Sequence, residues 1–116
     1  MTNDSPHEDV EQRNFVQYCR LKGYKFFRVP NETYTKSFKQ KAKNKALGVV
    51  PGVPDLFVIA HGRLLAVEMK RVKGSTTSKE QKEWIEALVA VGIPAKVCKG
   101  AEEAVKFIER EYEIVR

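Results

Sequence analysis

"GVPDLFVIAHGRLLAVEMKRV", residues 52–72, decides how this chain is read. Two apolar runs flank His61-Gly62, a pair suited to a two-residue hairpin turn in which Gly62 supplies a positive φ. With those residues at the tip, Ala60 pairs with Arg63, Phe57 with Ala66, and Asp55 with Glu68. Opposed residues in an antiparallel pair project to one side with Cβ atoms roughly 5 Å apart, and residues two apart share a face. The hairpin is therefore expected to deliver Asp55, Glu68 and Lys70 to one end of one face. Two carboxylates so close repel each other, and burial raises the cost. A hard divalent cation such as Mg2+ or Mn2+ removes the conflict, because such ions prefer oxygen ligands. For the three residues alone, a simple ion pair between Lys70 and one acid is the competing reading.

Outward from the hairpin, the chain of 116 residues is long enough for one packed core and too short for two. Hydrophobic residues make up 42% and charged residues 31%, the balance of a folded domain rather than a disordered one. A net charge of +6 and a pI near 9.4 favour a polyanionic partner; charge alone does not separate nucleic acid, membrane surface and plain solubility. No apolar run approaches the ~18 residues of a membrane span. The polar, acidic start "MTNDSPHEDVEQR" is unlike a secretory signal, so a soluble, cytoplasmic (intracellular) protein is expected. Cys19 and Cys98 lack metal-ligand spacing and read as small buried apolar residues. His7 and His61 lack the spacing of a zinc site.

Residues 1–7 read as a flexible terminus and 8–116 as a single domain. A helix is expected from Glu8 to about Leu21, with Val10, Phe15, Tyr18 and Cys19 as its apolar stripe and Gly23 as its stop. "YKFFRVP" reads as a strand ended by Pro30. "KSFKQKAKNK", with Lys36, Lys39, Lys41, Lys43 and Lys45, is too polar to bury itself and reads as a loop or short surface helix; its place just before the hairpin suits phosphate contact. Beyond the hairpin, Ser78 and Gln81 form a capping box that opens a helix to Val91, with Trp84, Ile85, Leu88 and Val89 expected inside. "IPAKVCK" is a strand, and a last helix from about Ala101 carries Ala104, Val105, Ile108 and Tyr112 on one side. This order specifies an α/β protein with a mixed central β-sheet flanked by helices.

Pro54-Asp55 followed by Glu68-Met69-Lys70 resembles the signature of the PD-(D/E)xK nucleases. The flanking "GVVPGVPDLFVI", "EMKRVKGSTTSKEQKEWIEAL", "EDVEQRNFVQYCR" and "RVPNE" are similar to the VRR-Nuc branch of that superfamily, over nearly the whole chain. The resemblance implies a restriction-endonuclease-like core and a metal-dependent DNA endonuclease, similar to stand-alone Holliday-junction resolvases that act on branched DNA as homodimers. It implies Mg2+ (or Mn2+) held by Asp55, Glu68, the Met69 carbonyl and an acid of the first helix, with Lys70 and Gln81 completing the catalytic set. Glu8 takes the helix-one place because it lies four residues before Gln12, and Glu11 is the fallback. Lys36, Lys39, Lys41, Lys43, Lys45, Arg71 and Lys73 are the expected DNA-phosphate contacts, and Tyr34 and Phe38 can stack on unpaired bases or pack in the core. A non-cleaving nucleic-acid-binding module, an exonuclease or an RNA-directed relative would share these features. No small-molecule cofactor or membrane partner is implied.

Overall fold

The structure, a computed structural model, describes residues 8–30 and 37–115, without the side chains of Glu8 and Val115. Chain order is α1 (Glu8–Lys22), β1 (Lys25–Arg28), α2 (Phe38–Ala46), β2 (Leu56–Ala60), β3 (Arg63–Lys70), α3 (Lys79–Ala90), β4 (Ala95–Lys99) and α4 (Ala101–Val115). The four strands form one mixed sheet in the order β1-β2-β3-β4, the α/β architecture expected from the sequence. β1–β2 and β2–β3 are antiparallel, and β3–β4 is parallel. A parallel neighbour requires a crossover, and α3 supplies it.

The central hairpin has the register read from its turn: Ala60 pairs with Arg63 and Phe57 with Ala66. Both tip residues adopt positive φ, His61 at 57° and Gly62 at 74°, the combination that matches the twist of the flanking strands. A non-glycine residue there is strained, and His61 is held by Tyr24 and Tyr112 rings at 5.5 and 4.9 Å and by a hydrogen bond from Nε2 to the Ile108 carbonyl.

One face of the sheet carries Leu56, Val58, Leu65, Val67, Met69 and Cys98, all fully buried under Phe15 and Cys19 of α1 and Ala104, Phe107 and Ile108 of α4. Burying each large side chain contributes about 1.5–3 kcal/mol, so this layer is the main source of stability. Tyr18 on α1 donates to the Glu109 carboxylate on α4, and burial together with that carboxylate pushes the phenol well above its ordinary range. Both cysteines are free; burial raises Cys19 to about 11, and burial, with Glu103 adding and Lys96 opposing, raises Cys98 to about 12.

Three expected packing assignments change. On α1, Val10 is exposed and Glu11 takes the inward position at 8% exposure, because its carboxylate Oε1 accepts the Ala101 N–H at 2.7 Å and caps α4. On α3, Trp84, Ile85 and Leu88 are half-buried and Val89 is 53% exposed, since the helix packs mainly on β4, an edge strand of the sheet. On α4, Tyr112 is exposed and Phe107 fills the core instead. The strand expected over "YKFFRVP" is confined to Lys25–Arg28, although the Val29 N–H still donates to the Asp55 carbonyl at 2.8 Å.

Candidate active site

Glu68 lies in the C-terminal half of β3, on the sheet face opposite the α1–α4 layer, and is only 3% exposed. Such burial of an acid costs several kcal/mol unless hydrogen bonds and counter-charge answer it. Its Oε2 accepts from Gln81 Nε2 at 3.1 Å and lies 3.8 Å from the Lys70 ammonium, which is two residues along the strand and on the same face. Glu68, Lys70 and Gln81 are thus brought together by one strand and the first turn of α3.

Gln81 performs two duties at once. Its Oε1 accepts the Ser78 N–H at 2.9 Å while its own N–H donates to Ser78 Oγ at 3.1 Å, completing the capping box. The amide Nε2, left over from the cap, is the group that reaches Glu68. Cap and site contact are therefore the two ends of one side chain.

Asp55 stands one residue before β2, where backbone pairing with β3 has ended at Leu56 and Val67. Its Oδ2 accepts the Met69 N–H at 3.2 Å, so a carboxylate takes the place of the next ladder carbonyl and is fixed against the neighbour of Glu68. The loop leading to it is seated on α3: Gly52, at φ 91°, approaches so closely that a Cβ would lie 2.6 Å from the Glu80 carbonyl carbon. Asp55 also borders a polar concavity of about 660 Å³ walled by α1 and lined by Asp9, Gln12, Arg13, Arg20 and Arg28. Asp9, Arg13, Arg20 and Arg28 escaped the sequence reading, and Gln12 entered it only through its spacing from Glu8. Arg13 and Arg20, seven apart on one helix face, were the available signal, but their meeting with Arg28 and Asp55 is tertiary.

Of the helix-one acids, Glu8 opens α1 but its side chain lies outside the described residues. Glu11 is committed to the α4 cap. Among the described residues no three His, Cys, Asp or Glu side chains form a metal-holding group. Asp55, Glu68 and the Met69 carbonyl are nonetheless an all-oxygen donor set on adjacent positions of one hairpin, and Mg2+ is commonly held by one or two carboxylates with water completing its shell. The donors present suit such an ion. His61 lies at the opposite end of the hairpin, and His7 is outside the described residues.

The basic candidates divide. Lys39, Lys41, Lys43 and Lys45 are exposed on α2, a nine-residue helix with no buried residue. Lys73 is exposed, whereas the Arg71 guanidinium is folded back onto the Gly74 carbonyl at 3.1 Å. Lys36 and Tyr34 lie outside the described residues. Phe38, which core packing might have claimed, is 86% exposed. Among the described residues no helix is long and apolar enough to cross a membrane.

Comparison with known proteins agrees with the fold. The family model of the VRR-NUC domain matches residues 4–102. A solved structure described as a VRR_NUC domain protein superposes with a TM-score of 0.78 at 25% identity, covering 96% of this chain and 92% of its own. No curated protein matches the sequence.

Proposed function

The chain belongs to the VRR-NUC domain family, a branch of a nuclease superfamily, and on that premise we propose that it is a metal-dependent, structure-selective DNA endonuclease acting on branched DNA such as Holliday junctions. The observation that carries this reading is the buried Glu68 carboxylate, contacted by Lys70 and Gln81 and neighboured by Asp55 on the Met69 amide. A structural ion pair needs one acid and one base; this arrangement adds a second carboxylate and a neutral amide at the end of a sheet.

Asp55, Glu68 and the Met69 carbonyl would hold Mg2+ or Mn2+, with Glu8 as the added acid from α1. When bound, such an ion polarises the phosphate and lowers the pKa of a coordinated water. The chain's own groups do the remaining work. Lys70, drawn to Glu68, is placed to orient the attacking water or to stabilise charge developing on the phosphoryl oxygens. Gln81 fixes the Glu68 carboxylate and limits its rotation. The arginines beside Asp55 and the lysines of α2 offer phosphate contacts without reading bases, which suits recognition of shape. The reading extends to a homodimer, since paired incisions across a branch need two sites and each chain supplies one.

The test is cleavage of labelled junction, flap and duplex DNA by the wild-type chain and by Lys70→Ala, with Mg2+ and with EDTA. Expected is Mg2+-dependent cutting that favours the branched substrates and disappears in the variant. Cutting in EDTA, or undiminished cutting by Lys70→Ala, refutes the mechanism; binding without cutting by the wild type would make the chain a non-cleaving module. Sedimentation at the cleavage concentration should give two copies, and a strict monomer removes the dimer.

A further inference from the structure

We propose that α2 is a stacking arm: Phe38 lies against an unpaired base at a DNA branch while Lys41 and Lys45 neutralise the adjoining phosphates. The inference rests on the nucleic-acid reading above but not on hydrolysis.

Phe38 is the most exposed large hydrophobic side chain of the described residues, at 86%. Its exposure is not the by-product of a helix that needs it. Ser37 caps α2 by accepting the Gln40 N–H at 3.2 Å, Gln40 donates to Asn44 at 2.7 Å, and Leu47 closes the C-terminal end on the Lys43 and Asn44 carbonyls. Helix α2 is thus completed by its own polar contacts, with no residue buried and no acid among its nine. Among the described residues nothing buries the phenyl ring.

Its neighbours say what it suits. Positions 38, 41 and 45 fall on one helical stripe, so the ring shares its face with two ammonium groups. The Lys41 Nζ lies over one face of the ring, 5.6 Å from its centroid, which leaves the opposite face for a base to stack on. An exposed aromatic ring among cations is the pattern that binds single-stranded nucleic acid, the ring taking a base and the cations its backbone. Bases inside a duplex already cover both faces of one another. A phenyl ring on a rigid arm therefore finds a free face at unpaired nucleotides, which is where branches differ from continuous duplex. A second copy of this chain is disfavoured as the occupant, because four lysines on each α2 would face each other.

The experiment measures binding in EDTA, where metal-dependent hydrolysis is absent, to a fork carrying 2-aminopurine in its unpaired arm and to a matched duplex. Wild-type protein should change the 2-aminopurine fluorescence and prefer the fork. Phe38→Ala should abolish that signal and weaken fork binding roughly 5- to 150-fold with little change on duplex; Phe38→Trp should restore both. An intact signal in Phe38→Ala, or equal losses on fork and duplex, overturns the proposal, as does Phe38-dependent binding to phosphatidylserine vesicles with no fork preference. Phe38-dependent fork binding by a chain that never cuts in Mg2+ would sustain the arm and sink the hydrolytic reading alone.

Discussion

Replacing Gly52 by alanine tests how the loop before Asp55 is held, and two separate penalties add at that position. The first is conformational. At φ 91° an L side chain is strained, by about 1–2 kcal/mol. The second is contact: the new Cβ would sit 2.8 Å from the Glu80 Cβ and 2.6 and 2.8 Å from its carbonyl carbon and oxygen, backbone that cannot yield without moving the first turn of α3. Overpacking of this kind costs about 1–3 kcal/mol. The sum, about 2–5 kcal/mol, corresponds to a fall in Tm of roughly 8–20 °C for a chain this size. Gly48 provides the internal control, with nearly the same φ (90°) but open space around the position of a Cβ. Gly48→Ala should carry the first penalty alone, about 1–2 kcal/mol. Urea and thermal unfolding followed by circular dichroism read both variants. If Gly52→Ala is no less stable than Gly48→Ala, the close approach of loop and helix does not exist in solution and the placement of Asp55 argued from it fails.

Glu11→Ala strands the Ala101 amide at the start of α4 and should cost about 1–3 kcal/mol in urea unfolding, with cleavage chemistry affected only through stability. Alkaline pH should destabilise the fold. Cys19 and Cys98 have folded pKa values raised to about 11 and 12 from 9.0, so their stabilisation is complete below pH 9 and is lost as pH rises toward the folded values. Each thiol contributes a slope of about 1.4 kcal/mol per pH unit within that window, and Cys19→Ala should flatten it; an unchanged slope contradicts the assignment. Changing Lys39, Lys41, Lys43 and Lys45 together to glutamine should lower the steepness of log affinity against log salt by up to about 4 for duplex DNA, and an unaltered slope excludes α2 from phosphate contact.

What could be read in advance was what is local. The hairpin register follows from the turn at His61-Gly62 and the period of two on either side, so the facing of Phe57 and Ala66 was legible without coordinates. The capping box at Ser78 and Gln81 was legible for the same reason, being four residues long. What escaped joins residues far apart in the chain. The burial of Glu11 depends on a helix that starts ninety residues later, and no pattern around Glu11 reports that an amide waits there. Val89 fits an apolar stripe yet stays in water, because α3 packs mainly on the edge strand β4, a placement fixed by the tertiary fold. The arginines bordering Asp55 come from α1 and the end of β1, whose meeting is a property of the packed layers.

A glutamate at the third position of α3 would close the capping box as well as Gln81 does, and most helices accept either. Here the interchange is barred. The far end of the side chain must offer a hydrogen to Glu68, and a carboxylate has none to offer; it would bring a like charge against a desolvated acid instead. An uncharged amide can accept from the backbone behind it through its oxygen and donate to the acid ahead of it through its nitrogen, so the start of a crossover helix and the poise of the acidic strand answer to a single side chain.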